Sequence, residues 1–338
     1  MLHARPAPEA HDAIAPLEHG GDLAAARRRF ADAPEPWIDL STGINPHAYP
    51  VCGLPAECFA RLPEPAALLA LEEIAARAYR VADARTIVAA PGAQALIQML
   101  PRVLPGPRVG ILGPTYAEHA ASWLRAGRAV VACADVTQLA DCDVAVIVNP
   151  NNPTGRVVER DALLALARRT RLIVDESFAD LAPAESIAGE AAACGAIVLR
   201  SFGKTYGLAG VRLGFAIAPH DIAARLHEAF GPWPVSGPAI ALGARALGDR
   251  DWLEAARRRL ADDAARLDAL LCASGFEIAG GTPLFRLAAH DCAQAIADRL
   301  GRAGVHIRRF AEHPRWLRFG IPAAAAWARL EAALRGAP

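Results

Sequence analysis

Ser201-Phe-Gly-Lys-Thr-Tyr-Gly-Leu-Ala-Gly-Val-Arg-Leu-Gly214 holds the only lysine of the chain. The protein has 338 residues and 36 basic side chains, and every one of these except Lys204 is arginine. A primary amine does two things that a guanidinium does not. It condenses with an aldehyde, and it gives up its proton near neutral pH when desolvated. A sequence that uses arginine wherever a positive charge suffices has kept an amine at one place. The surrounding glycines and serine are not the sequence of a solvated helix face, where a stray lysine would sit. Schiff-base chemistry at Lys204 is the first expectation.

Outward from this stretch, between about 67 and 218, short apolar runs alternate with helical segments. The runs 86–90, 108–112, 129–133, 144–149, 171–175, 196–201 and 213–218 read as strands, and 94–104, 116–126 and 160–170 as amphipathic helices. Continuous Val/Ile/Leu runs separated by helices indicate strands buried on both faces, hence a mostly parallel α/β sheet. Beyond about 220 the pattern changes. Long Ala/Arg/Leu helices at 251–274, 291–304 and 323–335 surround short strands near 276–279, 284–287 and 316–319, as in a smaller α+β domain. The chain divides into an N-terminal arm (1–45) that helps to cover the site, a large domain (46–228) and a small one (229–338). In the arm, His19-Gly-Gly21 leads into a short helix capped by Asp22.

Composition excludes several classes. Acidic and basic residues balance at 36 each, so the electrostatic footprint of a nucleic-acid binder is missing. No apolar run reaches the roughly 18 residues that span a bilayer. The polar start, with Pro6 and Pro8, lacks the apolar core of a signal peptide. Seven scattered cysteines with no C-x-x-C pair fit thiols in a reducing cytoplasm and no metal site.

The polar motifs fall where strands end, which is where open α/β sheets bind ligands. The run 144–149 enters Asn149-Pro-Asn-Asn-Pro-Thr-Gly155, and 171–175 ends in Asp175-Glu-Ser-Phe178. The first strand ends at Pro91-Gly-Ala93, where the free N–H groups of a helix start would hold a phosphate. An amine, a carboxylate, an Asn-rich turn and an anion cradle are together what pyridoxal 5'-phosphate requires.

With these residues the chain resembles the fold-type I pyridoxal-phosphate enzymes of the aspartate-aminotransferase superfamily over essentially its whole length. Ser-x-x-Lys followed eight residues later by Arg, with N-P-T-G and D-E-x-F, carries the resemblance. It implies that Lys204 forms the Schiff base and shuttles protons. Asp175 would hold the pyridinium proton and Asn152 the ring hydroxyl. Ser201, Arg212 and the backbone of Gly92 and Ala93 would hold the phosphate. Tyr116, in Pro114-Thr-Tyr-Ala-Glu118, would stack on the ring, and Arg318, in Trp316-Leu-Arg-Phe-Gly320, would clamp the substrate carboxylate. It also implies a homodimer. Three positions depart from the pattern: Phe178 replaces a common tyrosine, Ala93 and Gln94 replace a hydroxyl residue, and Leu62-Pro63 stands near the place of a tyrosine that reaches the neighbouring subunit. His119 and His227 read as plain surface or core residues.

His19-Gly-Gly21, paired with Asp39-Leu-Ser-Thr-Gly-Ile-Asn-Pro46, is similar to the L-threonine-O-3-phosphate decarboxylases of cobalamin biosynthesis. That resemblance implies a phosphorylated amino-acid substrate whose phosphate is met by His19 and Gly20, with Arg308 as a second anion contact. Gly43 sits where asparagine is common, so its backbone N–H would serve. The competing readings are a histidinol-phosphate-type aminotransferase and a non-catalytic cofactor-binding regulator. The regulator would normally require an attached DNA-binding module, and the sequence shows neither a basic arm nor a helix-turn-helix segment with room to fold.

Overall fold

The computed structural model describes residues 19–335. The polar start with Pro6 and Pro8 lies outside them. Strand β1 (Ile38–Leu40) follows the arm helix Leu23–Arg29, whose first turn is capped by the Asp22 carboxylate accepting from Ala25 N–H at 2.8 Å. Seven strands come next: β2 (Ile87–Ala90), β3 (Arg108–Leu112), β4 (Ala129–Cys133), β5 (Val144–Val148), β6 (Arg171–Asp175), β7 (Ile197–Ser201) and β8 (Gly214–Ile217). They form one sheet in the order β2-β8-β7-β6-β5-β3-β4. Pairing is parallel from β4 through β7, and only β8 runs against its neighbours. The expected mostly parallel, seven-stranded α/β sheet is what forms.

The sheet sits between two helical layers because both its faces are apolar. Along β5, Ala145 and Ile147 join the helix Pro65–Tyr79 through Leu71 and Ala75, while Val144 and Val146 join the helix Ala93–Val103 through Leu96 and Leu100. Successive side chains of a strand point to opposite faces, so a fully apolar run fills two cores at once.

The second sheet comprises β1 with β9 (Glu277–Thr282), β10 (Phe285–Ala289), β11 (Val305–Arg309) and β12 (Trp316–Gly320), in the order β1-β11-β12-β10-β9. Two of these strands, β1 and β11, were not expected. Each is short and mixed in polarity; β1 becomes a strand by pairing in parallel with β11, Asp39 opposite His306, and β11 by lying between β1 and β12. That pairing ties the arm to the last third of the chain, and Phe30 packs against Gly301 on the helix Ala293–Arg302 to hold it there.

Candidate active site

Register places the polar strand ends in one row. Ala90 and Ser201 both stand opposite Gly214, Leu199 stands opposite Asp175, and Asp175 opposite Val148. β7 ends at Ser201, and a single helical turn, Phe202–Thr205, then lifts Lys204 above the row. The turn is pinned from the arm side: Asn45 donates its backbone N–H to the Lys204 carbonyl at 2.9 Å and its Nδ2 to the Thr205 carbonyl at 2.8 Å. Lys204 lies deep among protein atoms and keeps only part of its surface exposed. Burial, then the nearby Arg318, bring its amine down to about 8 against a pull from Asp175. Nζ lies 5.8 Å from the centre of the Phe178 ring.

Asp175 is 3% exposed. Burial alone would raise its carboxyl, but a 2.9 Å bond with His119 Nε2 and donation from the Ser177 N–H and hydroxyl outweigh burial and hold it below the usual carboxylate range. His119 is therefore no plain core residue, as the sequence suggested. It leaves the helix Ala117–Arg125 to bond a carboxylate 56 positions away, a partner that no local pattern reveals.

The residues expected to form an anion cradle meet around Gly92. This residue has φ +87° and caps the helix Ala93–Val103, and a Cβ there would lie 2.5 Å from Arg212 Nη2. Glycine alone lets the guanidinium approach the first turn, where backbone N–H groups lack helical partners. Arg212 is itself held at φ 55°. Gly214 is also obligatory, since a Cβ on it would lie 2.4 Å from the Ala93 nitrogen.

Tyr116 begins the helix Ala117–Arg125 beside this cradle. Its hydroxyl donates to Gln94 Oε1 at 3.1 Å, and its ring lies 6.1 Å from that of His119. Burial first and Glu118 second push the phenol up to about 12, so the hydroxyl keeps its proton.

The Asn-rich turn divides its labour. Asn149 closes on the Val158 backbone at 2.8 and 3.0 Å, and Asn151 bonds Thr115, Thr154 and the Pro114 carbonyl. Only Asn152 faces the small sheet, where its Oδ1 accepts from Arg318 Nη1. Arg318 also donates Nη2 to the Ser41 carbonyl at 2.5 Å, and its buried Nε has no partner among the described residues. Arg318 stands directly opposite Arg308 in the β11–β12 pair. Burial, followed by Arg308, brings its guanidinium down to about 10. Like charges facing each other across strands are unfavourable, and an anion between them removes the penalty.

Gly43 lies against an aromatic pair: a Cβ would come within 2.9 Å of Phe285 and 3.1 Å of Phe178, whose rings meet edge-on at 5.1 Å. The arm reaches the same rim. Gly20 presses on the Ser41 carbonyl, Gly21 N–H donates to Ser41 Oγ at 2.7 Å, and His19 Nε2 meets Glu118 Oε1 at 3.0 Å with its ring 6.0 Å from that of Tyr116. The structure thus gathers residues of the arm, the strand ends and β11–β12 around Lys204. Sequence reasoning missed His119, Ser41, Gln94 and Glu118. Their polar side chains were visible, but their partners lie far along the chain. Among the described residues, no group of three or more His, Cys, Asp or Glu could hold a metal, and no helix is long and apolar enough to cross a membrane.

Residues 37–336 match the family described as aminotransferase class I and II. The threonine-phosphate decarboxylase of Pseudomonas aeruginosa is 46% identical over 95% of this chain and 98% of its own length. That of a Sinorhizobium species is 42% identical, with the same coverage of each. In three dimensions the chain resembles the histidinol-phosphate aminotransferase of Sinorhizobium meliloti in complex with pyridoxal-5'-phosphate, with a TM-score of 0.81 at 21% identity over 97% of this chain and 98% of that one.

Proposed function

The chain belongs to the class I and II aminotransferase family, and from that premise we propose that it decarboxylates L-threonine O-3-phosphate to (R)-1-amino-2-propanol O-2-phosphate. The residues fit pyridoxal 5'-phosphate as the cofactor. Gly92 leaves a cradle that any side chain would fill, beneath Arg212 and at a helix start, and a buried amine stands beside a buried, ionised carboxylate. When bound, the cofactor supplies an electron sink for the pair released from a bond at the substrate α-carbon.

The chain's own groups have separable tasks. Arg212, Ser201 and the N–H groups of Gly92 and Ala93 hold the phosphate. Asp175, kept ionised by His119 and Ser177, holds the proton on the ring nitrogen. Asn152 has its Oδ1 engaged by Arg318, which leaves Nδ2 to donate to the ring oxygen. Tyr116 covers the ring face. Lys204 is the covalent attachment point, and its lowered pKa lets Nζ exchange protons near neutrality.

One observation carries the substrate reading: Arg308 and Arg318 stand opposite each other on β11 and β12, and Arg318 is close enough to the Lys204 amine to lower its pKa. Arg318 is placed to take the carboxylate in exchange for the Ser41 and Asn152 oxygens. Arg308, His19, Gly20 and the Gly43 N–H would then meet the substrate phosphate. Clamping the carboxylate fixes rotation about the α-carbon, and that rotation selects the bond that breaks.

The reading extends to the division into arm, large and small domains, to a place in building the aminopropanol linker of cobalamin, to a cytoplasmic location and to a homodimer. For the dimer, Phe59, Leu62, Leu69 and Trp233 are 53–70% exposed. Leu69 and Trp233 also line a groove of about 330 Å³ with Pro63, Leu68 and Ile240. Two of these four exposed apolar side chains meet at that groove, and such an exposed apolar patch supports an interaction surface.

The test is incubation of the cofactor-loaded enzyme with L-threonine O-3-phosphate and no keto acid. Sustained carbon dioxide release with the visible cofactor absorbance retained is expected. Conversion to pyridoxamine phosphate without carbon dioxide would instead establish an aminotransferase.

A further inference from the structure

Glu118 is a buried carboxylate, 8% exposed, at the rim of the site. Its Oε2 accepts from Gln94 Nε2 at 3.1 Å, Gln98 Nε2 at 2.9 Å and Arg125 Nη1 at 3.4 Å. Its Oε1 meets His19 Nε2 at 3.0 Å. Gln94 in turn accepts from the Tyr116 hydroxyl at 3.1 Å. A single fixed anion thus reaches the arm through one oxygen and the ring-covering tyrosine through the other.

We infer that Glu118 is a positioning residue, which sets His19 for the substrate phosphate and, through Gln94, sets Tyr116. This rests on the reading of His19 as a phosphate contact. With Nε2 held by Glu118, Nδ1 is the ring atom left to meet a phosphate oxygen. The donors on Oε2 keep the carboxylate from turning to follow the arm. The two glycines after His19 lie on Ser41, whose carbonyl binds Arg318, so the latch also couples the arm to the carboxylate clamp.

The experiment compares Glu118→Gln, His19→Ala and the double variant, each loaded with cofactor, on L-threonine O-3-phosphate. Both single variants are expected to raise KM about tenfold with kcat within about threefold, and the double variant to be no worse than His19→Ala. A raised KM for His19→Ala alone overturns the role of Glu118 and leaves the function reading standing. Additive effects overturn it as well, since Glu118 then acts independently of His19. Unchanged KM in every variant removes His19 as a phosphate contact and the inference with it. Histidine-selective NMR of the loaded protein gives a readout independent of turnover, even if this substrate is not decarboxylated. The His19 ring resonances should shift in Glu118→Gln, or in the milder Glu118→Asp if the first does not fold. Unshifted resonances overturn the latch.

Discussion

Lys204 illustrates at the residue scale how a reactive group weighs against the fold that holds it. Its folded pKa of about 8 lies below the ordinary 10.5. Between these values the unfolded chain binds more protons than the folded one, so the stability of the cofactor-free protein rises with pH across that window and the penalty is complete below it. Lys204→Met should therefore stabilise the cofactor-free protein at pH 7 by on the order of 2 kcal/mol, allowing for the partial exposure of the side chain. It should also flatten the rise above pH 8, as urea unfolding at several pH values will show. Asp175 has the opposite sign. Its lowered pKa contributes stability above the ordinary carboxylate value, which is lost as pH falls through the folded value. Removing its buried donor with His119→Ala should weaken pyridoxal-phosphate binding about 10- to 100-fold, measured by cofactor titration of the cofactor-free protein. Wild-type affinity in that variant would mean that Ser177 suffices. The identities of Lys204 and Asp175 were legible because their chemistry is written in the residue type and in the strand that precedes each. His119 was not legible, because the other half of its bond lies on a strand 56 positions along the chain.

At the scale of elements, the Asn-rich turn and β9 meet backbone to backbone. A Cβ on Gly155 would lie 2.1 Å from the Gly281 carbonyl oxygen, and one on Gly280 would lie 1.9 Å from that of Thr154. Glycine is needed here for approach as well as for conformation, and Gly127 separates the two. Gly127 has φ +73° with nothing near its Cβ, whereas Gly155 has φ +71° against a neighbouring strand. Gly127→Ala should cost only the left-handed conformation, about 1 kcal/mol. Gly155→Ala should cost about 3 kcal/mol or more in urea unfolding, because the strand must also move. Equal costs would show that β9 yields freely. The strands of the large sheet were readable because each buries a continuous apolar run. β1 and β11 were not, since neither has a face that announces itself before the two pair.

For the whole molecule, the groove beside Leu69 and Trp233 is the surface on which the proposed dimer depends. Leu69→Arg with Phe59→Asp should convert the sedimenting species from dimer to monomer and leave the fold unchanged by circular dichroism. Each substitution puts a charge where an apolar side chain stood, and burying that charge against a second copy costs desolvation. Persistence of the dimer would place the interface elsewhere.

The sequence by itself determined the α/β architecture, the reactive amine and the residue types around it. These follow from apolar periodicity and from the chemistry of single side chains, both of which are local. Tertiary structure alone decided which asparagine of the turn meets Arg318, that two arginines oppose each other across β11 and β12, and that the Glu118 carboxylate meets His19. Those arrangements are set by register and by pairings between residues up to 277 positions apart, as in the bond from Arg318 to Ser41. A contact made only by folding leaves no periodic trace in the chain that makes it.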